Sequence, residues 1–199
     1  MLDFYFDFFS PYGYFGSTRI EALAARHGRQ VRWHAFHMRS VMKDVLGLVQ
    51  PLTALPLKGD YIRKDIRRVA RWLDVPYAPG DTAAFANVAA DRAFWLIHDV
   101  DAAAAKRFAV EVFRRHHALG DSPRDEQALM AIAVATRSDV VDLPTLLQGQ
   151  ACKDRLRQAT EAAMAAGVWG APTFVADGEV FWGVDRMPML EHWLERGGW

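Results

Sequence analysis

Apolar and polar residues alternate through the opening of the chain. In LDFYFDFF, Leu2, Phe4, Phe6 and Phe8 fall on one face and Asp3, Tyr5 and Asp7 on the other, the two-residue period of a strand. The following SPYGYFGSTRIEALAARHG changes period: Phe15, Ile20, Leu23 and Ala24 suit a helix closed at Gly28, with Ser10 as N-cap and Pro11 at the first helical position. VRWHAFHM then returns to aromatic and β-branched strand character. Strand, helix and strand within the first 38 residues make a βαβ unit, whose right-handed crossover predicts parallel strands.

Beyond it, residues 43–60 read as a connecting loop, with Pro51, Pro56 and Gly59 interrupting any period. From Tyr61 to Gly167 the signal is helical. Tyr61, Ile62, Ile66, Val69 and Leu73 share a face, as do Phe108 with Val112 and Ala109 with Phe113, and Leu156, Ala159, Ala163 and Ala166. Ser122-Pro123 reads as another N-cap and first turn, and the adjacent His116 and His117 as solvated residues that cannot chelate together from one helix face. APTFVADGEVFWG is two short strands turning at Asp177-Gly178, and DRMPMLEHWLERGG a terminal helix. The expected organisation is an α/β fold in which 1–42 and 168–199 form one domain and 61–167 a large all-helical insertion.

The composition supports a folded, water-soluble enzyme-sized chain. Its 199 residues are 51% hydrophobic and 24% charged, and the 24 basic residues balance the 24 acidic ones. Zero net charge gives no electrostatic footprint for nucleic acid or an anionic membrane. Without a secretory pattern or an apolar run of about 20 residues, a cytoplasmic protein that does not enter a membrane is expected. A single cysteine, Cys152, excludes an internal disulfide and a cysteine-rich metal site, and is expected to be a small buried residue. His34 and His37 sit three apart in a strand and project to opposite faces, so no metal is expected there.

The order βαβ, helical insert, ββα matches a thioredoxin-like arrangement, and two short segments sharpen the match. Ser10-Pro11-Tyr12-Gly13 stands at the end of the first strand, and Gly170-Ala171-Pro172-Thr173 before the returning strand pair, where thioredoxin-like proteins carry a cis-proline facing the first motif. A free Ala171 backbone could pair with an extended peptide. No thiol lies in the first motif, so dithiol exchange is excluded.

Over its whole length the chain resembles the 2-hydroxychromene-2-carboxylate isomerases and the kappa-class glutathione transferases. The motifs are DFYFDFFSPYGYFG, VMKDVLG followed by KGDYIRKDIRR, and GVWGAPTFVADGEVFWGVDRMPML. The resemblance implies glutathione as cofactor, with Ser10 as the catalytic residue that hydrogen-bonds the thiol sulfur and favours its thiolate. It implies that Ala171 pairs with the cysteinyl part. It places the γ-glutamyl end on Trp182, Gly183, Val184 and Asp185, with Arg186 adding charge. Asp185 could equally cap the terminal helix. Lys43 matches a lysine that meets a substrate carboxylate, and Lys58 and Tyr77 are further pocket candidates. The chain departs from the pattern at Gly47-Leu48, where relatives carry glycine followed by asparagine, so a polar substrate contact is lost. The implied reaction is cis/trans isomerisation of a small aromatic carboxylic acid by reversible thiolate addition, in naphthalene-type catabolism, by an enzyme whose relatives are often homodimers. A kappa-type transferase or peroxidase, and a non-enzymatic thioredoxin-fold binding module, remain alternatives.

Overall fold

The computed structural model describes residues 1–138, 140 and 142–199. Strand β1 (Leu2–Phe6) is followed by helices α1 (Pro11–Ser17) and α2 (Ile20–Arg26), then strand β2 (Val31–Ala35) and helix α3 (Met38–Asp44). A helical stretch follows: α4 (Lys58–Leu73), α5 (Asn87–His98), α6 (Ala102–Phe113), a π-helical turn (Arg114–Leu119), α7 (Glu126–Ala135), α8 (Leu143–Gln148) and α9 (Gln150–Ala165). Strands β3 (Thr173–Ala176) and β4 (Glu179–Trp182), a single 3-10 turn (Val184–Arg186) and helix α10 (Met187–Arg196) close the chain. No helix among the described residues is long and apolar enough to cross a membrane.

The strands form one sheet in the order β2-β1-β3-β4, with β1 parallel to β2 and antiparallel to β3, and β3 antiparallel to β4. This is the thioredoxin-like arrangement expected from the element order. The hairpin turns where it should, because Asp177 and Gly178 both take positive φ, at 53° and 88°. Arg29 clamps that turn with two bonds to the Asp177 carboxylate.

The alternation in β1 works as the pattern requires. Leu2, Phe4 and Phe6 are wholly buried, and Phe4 packs against Trp33 and Phe174 on the neighbouring strands. Each such ring contributes about 1.5–3 kcal/mol by leaving water. Gly16 lets α1 lie directly on this face, since a Cβ there would come within 3.2–3.4 Å of Phe174, Pro172 and Phe4. Tyr5 faces the other side, against a small cluster of Phe36, Val41, Ala163, Val168 and Ala171 under α3 and α9.

The helical stretch shares the core of the sheet. Phe6 meets Phe94 and Phe113, and Phe8 meets Phe108 and Phe113, so the end of β1 is driven into α5 and α6. The Trp95 indole N–H donates to the Ala35 carbonyl at 2.8 Å, tying α5 to β2. Cys152 is buried, as expected, and burial pushes its thiol pKa up.

Several local expectations are corrected. The first helix is two, broken at Thr18–Arg19, and the second strand ends at Ala35, so that Met38 begins α3. The loop over 43–60 contains a 3-10 turn at Leu52–Ala54, and α4 starts at Lys58. Ser122 is not an N-cap: Asp125 caps α7, while the Ser122 hydroxyl pairs with His116 Nδ1 at 2.8 Å. His116 and His117 are not solvated but 1% and 2% exposed. The π-helical turn places both inward, with His116 stacked on Phe85 and His117 on Tyr14. Its last carbonyls are satisfied by a neighbouring loop, His117 accepting from Ala78 N and His116 from Gly80 N.

Burial lowers the pKa of His117 from 6.5 to about 3 and that of His116 to about 4. Between the unfolded value and these, the unfolded chain binds more protons, so stability is complete above pH ~6.5 and falls as pH drops toward 3–4. His117→Gln can still donate to the Phe8 carbonyl but cannot titrate. Thermal melts at pH 7 and pH 4 should show the acid loss of Tm reduced by roughly half in this variant.

Candidate active site

Beyond Phe6 the chain leaves the sheet while still buried, and every backbone group it carries inward needs a partner. The Phe6 carbonyl accepts from Phe36 N, and the Phe8 carbonyl from His117 Nε2 at 2.9 Å. Asp7 bends its carboxylate back to the Phe9 N–H at 2.8 Å, and its carbonyl accepts from Ser10 N at 3.0 Å. This tight turn delivers Ser10 to the start of α1 in extended conformation, φ −85° and ψ 114°. There Ser10 Oγ accepts from Gly13 N at 3.1 Å, the N-cap bond that the sequence predicts.

The same hydroxyl does a second thing. It donates to the Ala171 carbonyl at 2.9 Å, across 161 residues of chain. The Ala171-Pro172 bond is cis, as expected, and the Pro172 carbonyl accepts from Gly183 N at 2.9 Å. Ser10, Ala171 and Gly183 are thus linked by two hydrogen bonds through one proline. Ser10 is only 5% exposed and Ala171 9%, and the single hydroxyl proton is committed to the Ala171 carbonyl. Two surface grooves, one at Arg67, Arg71 and Tyr77 and one at Arg107 and Arg137, are not lined by Ser10.

The remaining expected residues divide. Val184 is buried behind the turn, whereas Trp182, Asp185 and Arg186 are exposed. Asp185 caps neither the 3-10 turn nor α10; it pairs with Arg186 at 2.9 Å and leans over Gly183, whose φ of 104° leaves no room for a side chain. Gly183 N is bonded to the Pro172 carbonyl, whereas the N–H groups of Val184 and Asp185, which start the turn, have no acceptor among the described residues. Trp182 lies tilted against Trp169, ring centres 4.0 Å apart and planes 37° from parallel, with its indole against Gly170. Lys43 is exposed on the last turn of α3, with no ion pair among the described residues. Lys58 opens α4, and Tyr77 packs against Phe15 and His117.

Sequence reasoning missed the groups that hold this corner rigid. Tyr12 donates to Asp65 at 2.8 Å and Tyr14 to the Pro76 carbonyl at 2.9 Å, fastening α1 to α4 and to the loop after it. Burial and the Asp65 carboxylate hold the Tyr12 phenol far above its ordinary pKa, so it remains a donor. The missed signal was the aromatic spacing in PYGYFG, which serves two tethers rather than a pocket wall. Asp7 was read as a polar-face residue and is 1% exposed. His27, Glu191 and Glu195 lie close enough to hold a cation, but Arg26 already gives two bonds to Glu191.

With this geometry in view, comparison with known proteins defines the class. The chain belongs to the DSBA-like thioredoxin domain family, whose model matches residues 1–195. It is 30% identical to a 2-hydroxychromene-2-carboxylate isomerase of Sphingobium xenophagum over 195 residues, 97% of each chain. The solved structure of a 2-hydroxychromene-2-carboxylate isomerase superposes with a TM-score of 0.86 at 28% identity, covering 98% of this chain and 94% of the other. Glutathione S-transferase kappa 1 of Rattus norvegicus is 24% identical over 206 residues, 98% of this chain and 90% of that one. These likenesses define an enzyme of the isomerase kind, with a kappa-class transferase relationship behind it.

Ser10→Ala removes both the cap of α1 and the bond to Ala171, leaving that carbonyl without its donor. Urea unfolding should show a loss of about 1–2 kcal/mol with an unchanged m-value.

Proposed function

We propose that this protein is a glutathione-dependent cis/trans isomerase of 2-hydroxychromene-2-carboxylate-like aromatic acids. The observation that carries the reading is the Ser10 hydroxyl held 2.9 Å from the Ala171 carbonyl beside the cis Ala171-Pro172 bond. Kinship to isomerases that share nearly the whole chain supports the reaction, and kinship to a protein named as a glutathione transferase supports the cofactor.

The residues present fit a bound cysteinyl peptide. Ser10 has one hydroxyl proton, and Ala171 has a carbonyl that now accepts it. An amide N–H of an extended peptide can take over the Ala171 carbonyl, as in strand addition. That exchange releases the Ser10 proton to face a sulfur, while Gly13 N continues to hold the oxygen in place. A hydroxyl donating to a thiolate favours the ionised form of a thiol that is otherwise only a few per cent ionised at neutral pH. When bound, glutathione supplies a thiolate nucleophile whose reversible addition lets a conjugated double bond turn as a single bond.

The other contacts follow from position. Val184 and Asp185 offer backbone N–H groups to the γ-glutamyl carboxylate, and the exposed Asp185 accepts from its ammonium with Arg186 alongside. Trp182 and Gly183 form the wall of that end. Lys43, on a helix whose first N–H is bonded to Asp7, meets the substrate carboxylate. Leu48 replaces a polar contact with an apolar one, so an acid with an apolar substituent at that position is favoured.

The test supplies hydroxychromene acid with trace glutathione and follows product and free thiol together. Many turnovers per thiol are expected, with loss of at least 100-fold in Ser10→Ala, since a misplaced nucleophile costs about that much. Stoichiometric consumption of thiol would instead establish the kappa-type transferase reading.

A further inference from the structure

Two carboxyl groups lie buried behind the turn that delivers Ser10. Asp7 is 1% exposed and Asp91, on α5, fully buried. Asp7 is rich in donors: Oδ1 accepts from Phe9 N at 2.8 Å and from Asn87 Nδ2 at 3.1 Å, and Oδ2 from Met38 N at 2.9 Å. Asp91 has fewer, with the Phe8 N–H facing it from the turn. Its Oδ2 is 3.4 Å from Asn87 Nδ2, and Oδ1 has no partner among the described residues. Asn87, one turn earlier on the same helix face, also has an unpartnered buried atom, the acceptor Oδ1.

One proton resolves these observations. Placed on Asp91, it supplies the donor that Asn87 Oδ1 lacks and leaves Asp7 as the carboxylate its three donors require. We propose that Asp91 keeps its proton while Asp7 is ionised, the two carboxyl groups bridged by Asn87, and that this pair is the positioning device for the Ser10 hydroxyl. The proposal rests on Ser10 being the thiol-anchoring group argued above. Its mechanism is mechanical. Asp7 fixes the turn by its side chain at Phe9 N and by its carbonyl at Ser10 N, and fixes the start of α3 through Met38 N.

The surroundings assign the proton the same way. Asp91 is pushed well above the ordinary carboxyl range by burial and by the charge of Asp7, with the Phe8 N–H and Arg92 opposing. Asp7 is raised by burial and drawn back by its backbone donors, by His37 at the entrance to α3 and by Asn87. His117, on the π-helical turn, faces the Phe8 carbonyl as a neutral ring. The charged and titratable groups around the pair are therefore His37 and Arg92, with His117 uncharged. Loss of the Asp91 proton would set a second negative charge beside Asp7.

The sign of the pH effect follows. A carboxyl whose folded pKa is raised binds its proton in the folded state above pH ~4, where the unfolded chain has released it. Stability contributed by Asp91 thus declines as pH rises from about 4 toward the folded value. Asp91→Asn keeps a donor toward Asn87 and cannot ionise, so this decline should vanish.

Two measurements on the full chain decide the matter. Carboxyl-carbon NMR of aspartate-labelled protein followed against pH should show one aspartate titrating well above the ordinary carboxyl range, absent in Asp91→Asn; titration of every aspartate within the ordinary range overturns the retained proton. The ultraviolet absorbance of thiolate, followed against pH with glutathione added, should show Asp7→Asn reducing the ionised fraction at neutral pH about tenfold. If Asp7→Asn does not fold, Asn87→Ala should still reduce it at least threefold. An unchanged fraction in the variant overturns the positioning role. If the wild-type protein itself fails to favour thiolate, the thiol-anchoring role fails and the positioning role with it, while the NMR result still decides the proton.

Discussion

A strand that loses its neighbours before it leaves the core is the constraint around which this protein is built. The β1 ladder ends at Phe6, yet Asp7, Phe8 and Ser10 remain buried. Unpaired buried amides and carbonyls are costly, and several of this segment's groups find partners in other parts of the chain. The β2–α3 junction, the π-helical turn and α1 all contribute, and Asp7 serves its own turn. Satisfying that short segment therefore assembles the corner where the chemistry sits.

Rigidity at this corner has a physical purpose. Ser10 carries one proton and several obligations: cap of α1, donor to Ala171 and, in the proposed reaction, donor to a sulfur. A hydroxyl can exchange one partner for another without cost in position only if its own backbone does not move. The tethers of Tyr12 to Asp65 and Tyr14 to Pro76, with the close packing at Gly16, restrict α1 to one seat on the sheet. The π-helical turn contributes by carrying His117, whose ring bonds the Phe8 carbonyl.

Burial outweighs the neighbouring charges and explains why the titratable groups here behave as they do. His116 and His117 stay neutral because charging them would need solvation that the aromatic stack cannot supply. The same low polarity keeps a proton on Asp91. Exposed ion pairs such as Arg26–Glu191 and Arg157–Asp154 add little by comparison, being screened by solvent.

The one-dimensional chain determined much of this. Alternation in LDFYFDFF and APTFVADGEVFWG located strands, because a half-buried strand must repeat every two residues, and Asp177-Gly178 marked its turn, because that backbone needs positive φ. Ser10 as a cap before Pro11 was legible for the same local reason, and the cis-proline loop facing it through the element order, but not the bond by which Ser10 occupies the Ala171 carbonyl expected to be free. What only the tertiary structure decided is whatever depends on contacts distant in sequence. The histidines read as solvated, but α6 ends in a wide turn against Phe85 and Tyr14; Asp7 read only as a member of the polar face of β1, but Asn87 bonds it from α5. Periodicity reports which face a residue takes along its own element; it carries no information about what another element, eighty residues away, will lay across that face.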